Sequence, residues 1–413
     1  MDTVTRRKFL ITSGVVGAGA LVAGGTAYTL KEILATAGSR PSGAASLVLV
    51  TLYGGNDGLA TVIPYADPAY HDARPELAYA PDQVLKLDDA TGLNPGLKGL
   101  HRLFGAGKVA IVRGVGYPKP DRSHFRSMDI WQTAQPDRPG TTGWLGRWLD
   151  GAGADPRLAV SFEPVLPPLL AGATSAGAAV PVTGLRLPRA VRTATLTQLG
   201  AASPGEPPLQ ARAAAAFTDL VEVDVMVRGL GAPENENAAD GDQPQATNTG
   251  GRSSLTAQLN LVARCVESRV ATRVYSVSLG GFDLHADEKQ PQENLLKELD
   301  AALASFVDRM ARSGSGQQVV VAVYSEFGRR VKANASDGTD HGTASNVFVL
   351  GPNVHGGLYG APPNLADLDN GDLKFTTDFR DVYAELLHGV LGADPAKILN
   401  GWRTRLPQPL VAP

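Results

Sequence analysis

The sequence has one cysteine in 413 residues, so it cannot form an intramolecular disulfide. That residue, Cys265, lies in the helical pattern LVARCVESR, where a buried, unreactive thiol is expected rather than a nucleophile. The chain also lacks a strong excess of either charge, with 38 Lys and Arg against 41 Asp and Glu, and has no basic block beyond its N-terminal residues. This balance excludes the charge pattern of a nucleic-acid-binding protein.

The composition is that of a globular protein. Hydrophobic residues make up 43% of the chain and charged residues 19%, which is enough apolar material for a substantial core. The length allows one large α/β domain or two smaller ones. The 47 glycines and 29 prolines indicate many turns and ordered loops rather than long helical arrays.

The N-terminal stretch MDTVTRRKFLITSGVVGAGALVAGG resembles a twin-arginine (Tat) export signal, with Arg6 and Arg7 as the pair. A small-x-small cleavage site follows in ATAG, after Ala37. The alternatives are a membrane anchor or an ordinary amphipathic start, but the Gly-rich, weakly apolar run disfavours a stable membrane span. We therefore expect residues 1–37 to be read by the Tat translocation machinery. The mature chain would be periplasmic, cell-surface or extracellular, without a stable span.

From residue 46 onward, short apolar strands alternate with helical patterns. The strands are rich in β-branched residues and do not alternate strictly with polar ones, which is typical of a mostly parallel sheet covered on both faces. They are predicted at 46–53, 108–115, 272–279, 318–325 and 346–351, and the helices at 254–270, 294–310 and 381–392. This order predicts a three-layer α/β/α sandwich.

Two segments interrupt the alternation. Residues 229–254 lack periodicity and are rich in Asn, Asp and Gly, which predicts a surface loop. Residues 166–215 are rich in Ala, Gly and Pro, and we interpret this stretch as an insertion or cap over the site.

Carboxylates and histidines lie where the predicted strands end or begin. Because ligands of open α/β sheets collect outside the carboxyl ends of the strands, we expect these side chains to converge. They are hard oxygen and imidazole ligands without thiolates, which suits one or two divalent cations such as Zn²⁺, Mn²⁺, Mg²⁺ or Ca²⁺. The predicted metal ligands are Asp57, Asp283, His285, Glu326, Asp340 and His341.

A candidate nucleophile lies in PKPDRSHFRSMDIWQTA, where Ser123 precedes a helical pattern. The start of a helix offers free N–H groups and a positive dipole to a phosphoryl group. Ser123 could be activated by a metal, and His124 could be a ligand or a proton shuttle. The alternative is that Ser123 is only an N-cap, a role that serine commonly takes and that does not exclude catalysis.

Several motifs, in this order, resemble the exported bacterial family called domain of unknown function 1501, and the resemblance covers residues 46–405 as a single domain. The motifs are GGNDGLATVIPYADPAYHDARPELAY, GVGYPKPDRSHFRSMDIWQTA, GWLGRWLD, GGFDLHAD, YSEFGRR, DHGTASNVFVLG and TDFRDVYAELL. That family in turn resembles the alkaline phosphatase superfamily. The resemblance implies a doubly wound α/β fold, two metals and a nucleophile at a helix start. Carried over residue by residue, it assigns metal ligation to Asp57, Asp283, His285, Glu326 and His341, and the nucleophile position to Ser123.

A sulfatase would need a Cys or Ser in a C/S-x-P-x-R setting, and neither Cys265 nor Ser123 is followed by that proline. The sequence therefore favours an exported, metal-dependent hydrolase of phosphate esters, acting on a small-molecule or polymer substrate. The alternative is a non-catalytic exported binding protein on an inactive phosphatase-like scaffold, because fold alone does not decide function.

Overall fold

The computed structural model describes residues 26–27, 30–163, 165–180 and 254–411. Arg6 and Arg7 of the predicted export signal lie outside these ranges, as do residues 181–215 of the first predicted insertion and 229–253 of the second. Within the described ranges, no helix combines the length and the apolar character needed to cross a membrane.

Fifteen strands are present in the described residues. They are β1 Thr26–Ala27, β2 Ser46–Leu52, β3 Val62–Ile63, β4 Leu85–Lys86, β5 Gly92–Leu93, β6 Val109–Gly116, β7 Ala159–Ser161, β8 Ala178–Ala179, β9 Val274–Leu279, β10 Val319–Ser325, β11 Ser345–Leu350, β12 Gly357–Tyr359, β13 Leu368–Asp369, β14 Asp372–Leu373 and β15 Thr377–Asp378.

Ten α-helices accompany the strands in the same part of the chain. They are α1 Leu30–Leu34, α2 Gly58–Thr61, α3 Pro68–Ala73, α4 Lys98–Gly105, α5 His124–Thr133, α6 Trp144–Gly151, α7 Leu255–Glu267, α8 Lys289–Arg312, α9 Phe379–Gly389 and α10 Pro395–Ile398. Short 3-10 turns lie at Pro156–Leu158, Pro168–Leu170 and Gly314–Gly316.

The central sheet has ten strands in the order β1-β8-β7-β9-β2-β10-β11-β6-β12, with β15 pairing with β6. All neighbouring strands are parallel except β11, which runs antiparallel to both β10 and β6. The predicted mostly parallel sheet is confirmed. The reversed strand matters for the site, because the start of β11 lies at the same edge as the carboxyl ends of its neighbours.

Alternate residues of the central strands face two different helical layers. Val48 and Val50 of β2 pack in one core cluster with α7, α8 and α4. Leu47 and Leu49 pack in the other cluster with α5, α6 and α9. Both faces of the strand are apolar because both are covered, which explains the continuous hydrophobic runs. The predicted three-layer sandwich is confirmed.

The buried cysteine also agrees with the sequence. Cys265 lies inside α7 and is fully buried. Burial raises the pKa of its thiol to about 12, so the reactive thiolate is disfavoured at neutral pH.

Candidate metal centre

Five loops meet at one edge of the sheet and carry the candidate residues. Those after β2, β6, β9 and β10 leave the carboxyl ends of mutually parallel strands, and the loop before β11 reaches the same edge because β11 is reversed. Gly54, with φ of +113°, lets two of these loops touch, since a Cβ there would lie 2.5 Å from the backbone N of Asp283. The sheet thus brings together residues far apart in sequence.

Three imidazole nitrogens and one carboxylate oxygen converge at this edge. Oδ1 of Asp283 lies 2.9 Å from Nε2 of His285, 3.1 Å from Nε2 of His341 and 3.4 Å from Nε2 of His124. Nε2 of His341 lies 3.1 Å from the Nε2 atoms of both other histidines. In the described residues, His124, Asp283 and His341 form a group whose ligand atoms all lie within 4.8 Å of one another and could hold an ion. His285 lies against this group.

Hydrogen bonds on the far side of two rings fix which nitrogen faces the centre. Nδ1 of His124 lies 2.8 Å from Oε1 of Glu326, and Nδ1 of His341 lies 2.8 Å from the carbonyl oxygen of Arg122. Both partners are acceptors, so each Nδ1 carries a proton and each Nε2 faces the centre, where it offers a lone pair to a cation once it is deprotonated. Nitrogens held this close to a carboxylate oxygen require positive charge between them, supplied either by protons on Nε2 or by a bound cation.

The charges around Asp283 favour its ionised form. Although partial burial opposes ionisation, hydrogen bonds from His124, His341 and Arg329 hold the pKa of Asp283 well below its usual range. Hydrogen bonds to Asp283 and Glu326 raise the pKa of His124 to about 9 against the opposing effect of burial. A proton and a metal cation therefore compete for the same lone pair of His124.

The structure places Glu326 behind His124 rather than among the converging atoms. Its Oε1 accepts hydrogen bonds from Nδ1 of His124 and from the backbone N–H of Gly54, at 2.8 and 2.9 Å. Ser325 donates to Oε2 at 2.9 Å. With both oxygens occupied, Glu326 fixes the orientation of the His124 ring, an arrangement also found where carboxylates lie behind metal-binding histidines. Asp340 has a similar but looser place, its Oδ1 lying 3.7 Å from Nδ1 of His285.

Asp57 lies outside the cluster. Its Oδ2 forms an ion pair with Arg74, both side chains being about 1% exposed, and its Oδ1 accepts from the backbone of Leu59 at the start of α2. Glu288 lies nearby, and burial together with the charge of Asp57 raises its pKa to about 8. The sequence placed Asp57 correctly after β2 but gave no sign of the arginine that engages it.

Ser123 occupies the N-cap position of α5, directly before His124, but its side chain makes no capping hydrogen bond. The residue is exposed, and its backbone N–H donates to Oδ1 of Asp121 at 2.7 Å. The hydroxyl is therefore not engaged in the capping role that the sequence left open. Arg122, the residue before Ser123, is paired with Asp372.

Arg329 is a site residue that the sequence analysis missed. Its buried guanidinium donates to the carbonyl oxygens of Gly54 and Gly55, to those of Phe282 and Thr339, and to Oδ1 of Asp283 at 2.8 Å. It ties the loops after β2 and β9 to the segment before β11. The available signal was an arginine shortly after a buried strand, in YSEFGRR, where a buried charge needs a partner.

The cluster opens into a cleft of about 250 Å³. One side is formed by His124, Asp283 and Glu326, and the other includes Phe125 and Val165, which are 69% and 55% exposed. The cleft therefore joins the polar centre to an apolar wall.

The remaining four of the seven histidines lie elsewhere. His71, His101 and His355 contact the carbonyl oxygens of Tyr65, Lys86 and Pro409, and His388 is exposed near the end of α9. The clustering of three histidines is thus specific to the edge where the strands end.

The chain is similar to several solved structures. It shares 11% identity and a TM-score of 0.35 with an alkaline phosphatase superfamily protein from Vibrio parahaemolyticus, covering 87% of this chain and 71% of that one. With murine ectonucleotide pyrophosphatase/phosphodiesterase 5, an inactive variant in complex with AMP, it shares 9% identity and a TM-score of 0.35. That match covers 89% of this chain and 100% of that one. With a putative sulfatase from Bacteroides thetaiotaomicron it shares 10% identity and a TM-score of 0.34, and the match covers 88% of this chain and 76% of that one.

None of the curated proteins matches the sequence. A family model described as "Protein of unknown function (DUF1501)" matches residues 112–407, which is more than half of the chain. This chain therefore belongs to the DUF1501 family.

Proposed function

We propose that the protein binds a divalent cation at His124, Asp283, His285 and His341 and hydrolyses phosphate esters. The observation that carries this proposal is the convergence of Nε2 lone pairs on Oδ1 of Asp283, with the rings of His124 and His341 held by acceptors on their far sides. Such a set is the donor chemistry of Zn²⁺ and Mn²⁺ sites.

The spacing of the donor atoms of His124, Asp283 and His341 fits such an ion. Tetrahedral ligands at zinc distances of roughly 2.1 Å lie about 3.4 Å from one another. Among these three atoms, Nε2 of His341 lies 3.1 Å from Oδ1 of Asp283 and from Nε2 of His124, and Nε2 of His124 lies 3.4 Å from Oδ1 of Asp283. An outward shift of a few tenths of an ångström in the two shorter pairs gives that geometry, and His285 lies against the group, 2.9 Å from Oδ1 of Asp283. The sequence suggested as many as two cations, and with Asp57 held by Arg74 these four residues account for one.

A bound cation would supply positive charge against the oxygens of a phosphoryl group. The protein supplies position: Arg329 holds Asp283, and Glu326 holds His124. Ser123 adjoins His124 at the start of α5, where N–H groups of the first turn face outward. Its Oγ would attack phosphorus as the bond to the leaving oxygen breaks, with the serine proton passing to that oxygen. Water would then cleave the new Oγ–P bond, leaving its hydroxyl on phosphorus and returning a proton to Oγ.

Phosphate esters are favoured over sulfate esters for a chemical reason. Formylglycine formation requires the C/S-x-P-x-R setting that neither Cys265 nor Ser123 has, and Cys265 is in addition fully buried in α7. A serine hydroxyl at a helix start is suited to phosphoryl transfer without modification.

A second candidate function is a non-catalytic binding protein. The removal of Asp57 from the cluster by Arg74 favours it, because two-metal displacement needs ligands for a second cation. In that case the cation site would hold an anionic ligand without turnover.

The two candidates separate in one experiment. Protein purified without chelators should contain close to one equivalent of a transition metal by elemental analysis. It should hydrolyse an aryl phosphate or a bis-aryl phosphodiester when Zn²⁺ or Mn²⁺ is supplied, and leave an aryl sulfate intact. Metal binding without turnover of either phosphate would support the binding protein. Absence of metal, with no stabilisation by any of the four divalent cations considered, would contradict both.

We further propose that the protein is exported through the Tat pathway, on the basis of the Arg6–Arg7 pair. Replacing both with lysine keeps the charge but removes the guanidinium groups, so the precursor should accumulate in the cytoplasm. Cell fractionation with an antibody to the protein measures this. Export of the double variant at the wild-type level would contradict the proposal, and the matched Lys8→Arg variant should be exported normally.

A further inference from the structure

A second and larger cleft, of about 770 Å³, lies next to the cluster. Phe327 and Arg122 line it and also contact the cluster. The ring of Phe327 lies 4.9 Å from that of His124 and 5.0 Å from that of His341, and the carbonyl of Arg122 accepts from His341. An occupant of this cleft would thus be one side chain away from the candidate metal centre.

Two buried polar atoms of the residues lining this cleft have no hydrogen-bond partner. Asp372 is 1% exposed, and while its Oδ2 is paired with Arg122, its Oδ1 is unpartnered, with Nε of Arg330 3.9 Å away. Trp131 is 2% exposed, and its Nε1 is likewise unpartnered. Leaving such a group unsatisfied costs about 1–3 kcal/mol, so a ligand that supplies the missing partners would be stabilised.

The charges of the cleft are balanced. Its lining includes Lys119, Arg122 and Lys374 against Asp121, Asp369 and Asp372. Arg122 is paired with Asp372, and Lys374 with Asp367 at 2.5 Å. A polyanion would find little uncompensated positive charge, and an apolar ligand would leave the carboxylate oxygen and the indole N–H unsatisfied.

A hydroxyl group meets these requirements because it both donates to a carboxylate oxygen and accepts from an indole N–H. The cleft also offers aromatic surface for the C–H face of a ring, notably Phe375, which is 38% exposed. We propose that this cleft binds a neutral, hydroxyl-rich group such as a sugar ring, and that it seats the part of the substrate remote from the scissile ester. The second half of this statement rests on the proposed hydrolase function, whereas binding of the sugar itself does not.

The test is calorimetric titration of the full protein with neutral disaccharides: maltose, cellobiose, xylobiose and chitobiose. At least one should bind at millimolar or lower concentration, and equally well after EDTA treatment. Phe375→Ala and Asp372→Asn should each weaken binding about tenfold, which corresponds to about 1.4 kcal/mol. Phe125→Ala, which removes an exposed ring from the smaller cleft, should leave it unchanged.

Three results would overturn the proposal. One is the absence of binding by all four sugars to folded protein. Another is binding that the Phe375→Ala substitution does not weaken. Phe375 is exposed, so this variant is expected to fold normally. The third is binding that disappears with the metal, which would assign the sugar to the smaller cleft. Because sugar binding is expected to be independent of metal, a failure to bind sugar is distinguishable from a failure of the hydrolase proposal.

Discussion

Replacing His341 with alanine should abolish stoichiometric cation binding, because its Nε2 lies within 3.1 Å of Asp283 and of both other histidines. A ligand that binds only the folded state stabilises it by about 2.7 kcal/mol when present at a hundred times its Kd. This stabilisation should appear as a rise in Tm when Zn²⁺ or Mn²⁺ is added to wild type, and it should be absent in the variant.

Two further variants sharpen the measurement. Glu326→Gln keeps the shape behind His124 but not the charge, and it should weaken cation affinity about 10- to 100-fold without abolishing it. His388→Ala removes an exposed histidine outside the cluster and should bind the cation as wild type does. Unchanged affinity in His341→Ala would show that the four residues are not the binding site.

The second large effect is expected at Ser123. If its Oγ attacks phosphorus, Ser123→Ala should lower the hydrolysis rate by at least about a thousandfold while the fold and the metal content stay intact. Initial rates with the aryl phosphate, together with elemental analysis of the same sample, measure both quantities. A variant that retains most of the wild-type rate would contradict the role of Ser123.

Ser254→Ala is the matched control for a purely structural serine. Ser254 caps α7 through a hydrogen bond of 3.2 Å to the backbone N–H of Ala257, so its loss should cost about 1 kcal/mol of stability. Ser123 makes no such bond, so Ser123→Ala should leave the free energy of unfolding nearly unchanged. A loss of stability at Ser123 equal to that at Ser254 would favour the capping role.

The sequence predicted the layers of this fold because burial on both faces leaves a strong trace. Strands such as β2 and β10 are buried at every position and mostly apolar, and their predicted bounds differ from the observed ones by one residue. The strands β7 and β8 were not predicted. These strands, Ala159–Ser161 and Ala178–Ala179, are short and contain few β-branched residues. Pairing with the neighbouring strands, rather than intrinsic β propensity, therefore determines where they form.

The candidate site was predictable in composition but not in the role of each side chain. Strand ends located Asp283, His285 and His341 because ligands gather at that edge. The pairing of Asp57 with Arg74, the place of Glu326 behind His124 and the contacts of Arg329 all depend on side-chain directions in the folded sheet. A single sequence holds no local pattern for such contacts, since the partners of Arg329 lie up to 275 residues away.

The reversed strand β11 has a consequence for folding. Its position brings His341 to a residue 217 positions earlier, His124, and to Asp283, 58 positions earlier. Contacts between residues this distant require closure of long loops, so they tend to form late. A chain that has not yet inserted β11 between β10 and β6 offers only a partial set of ligands. Bound cation would therefore report that the sheet is complete, and a truncated or nascent chain ending before His341 would gain no stability from it.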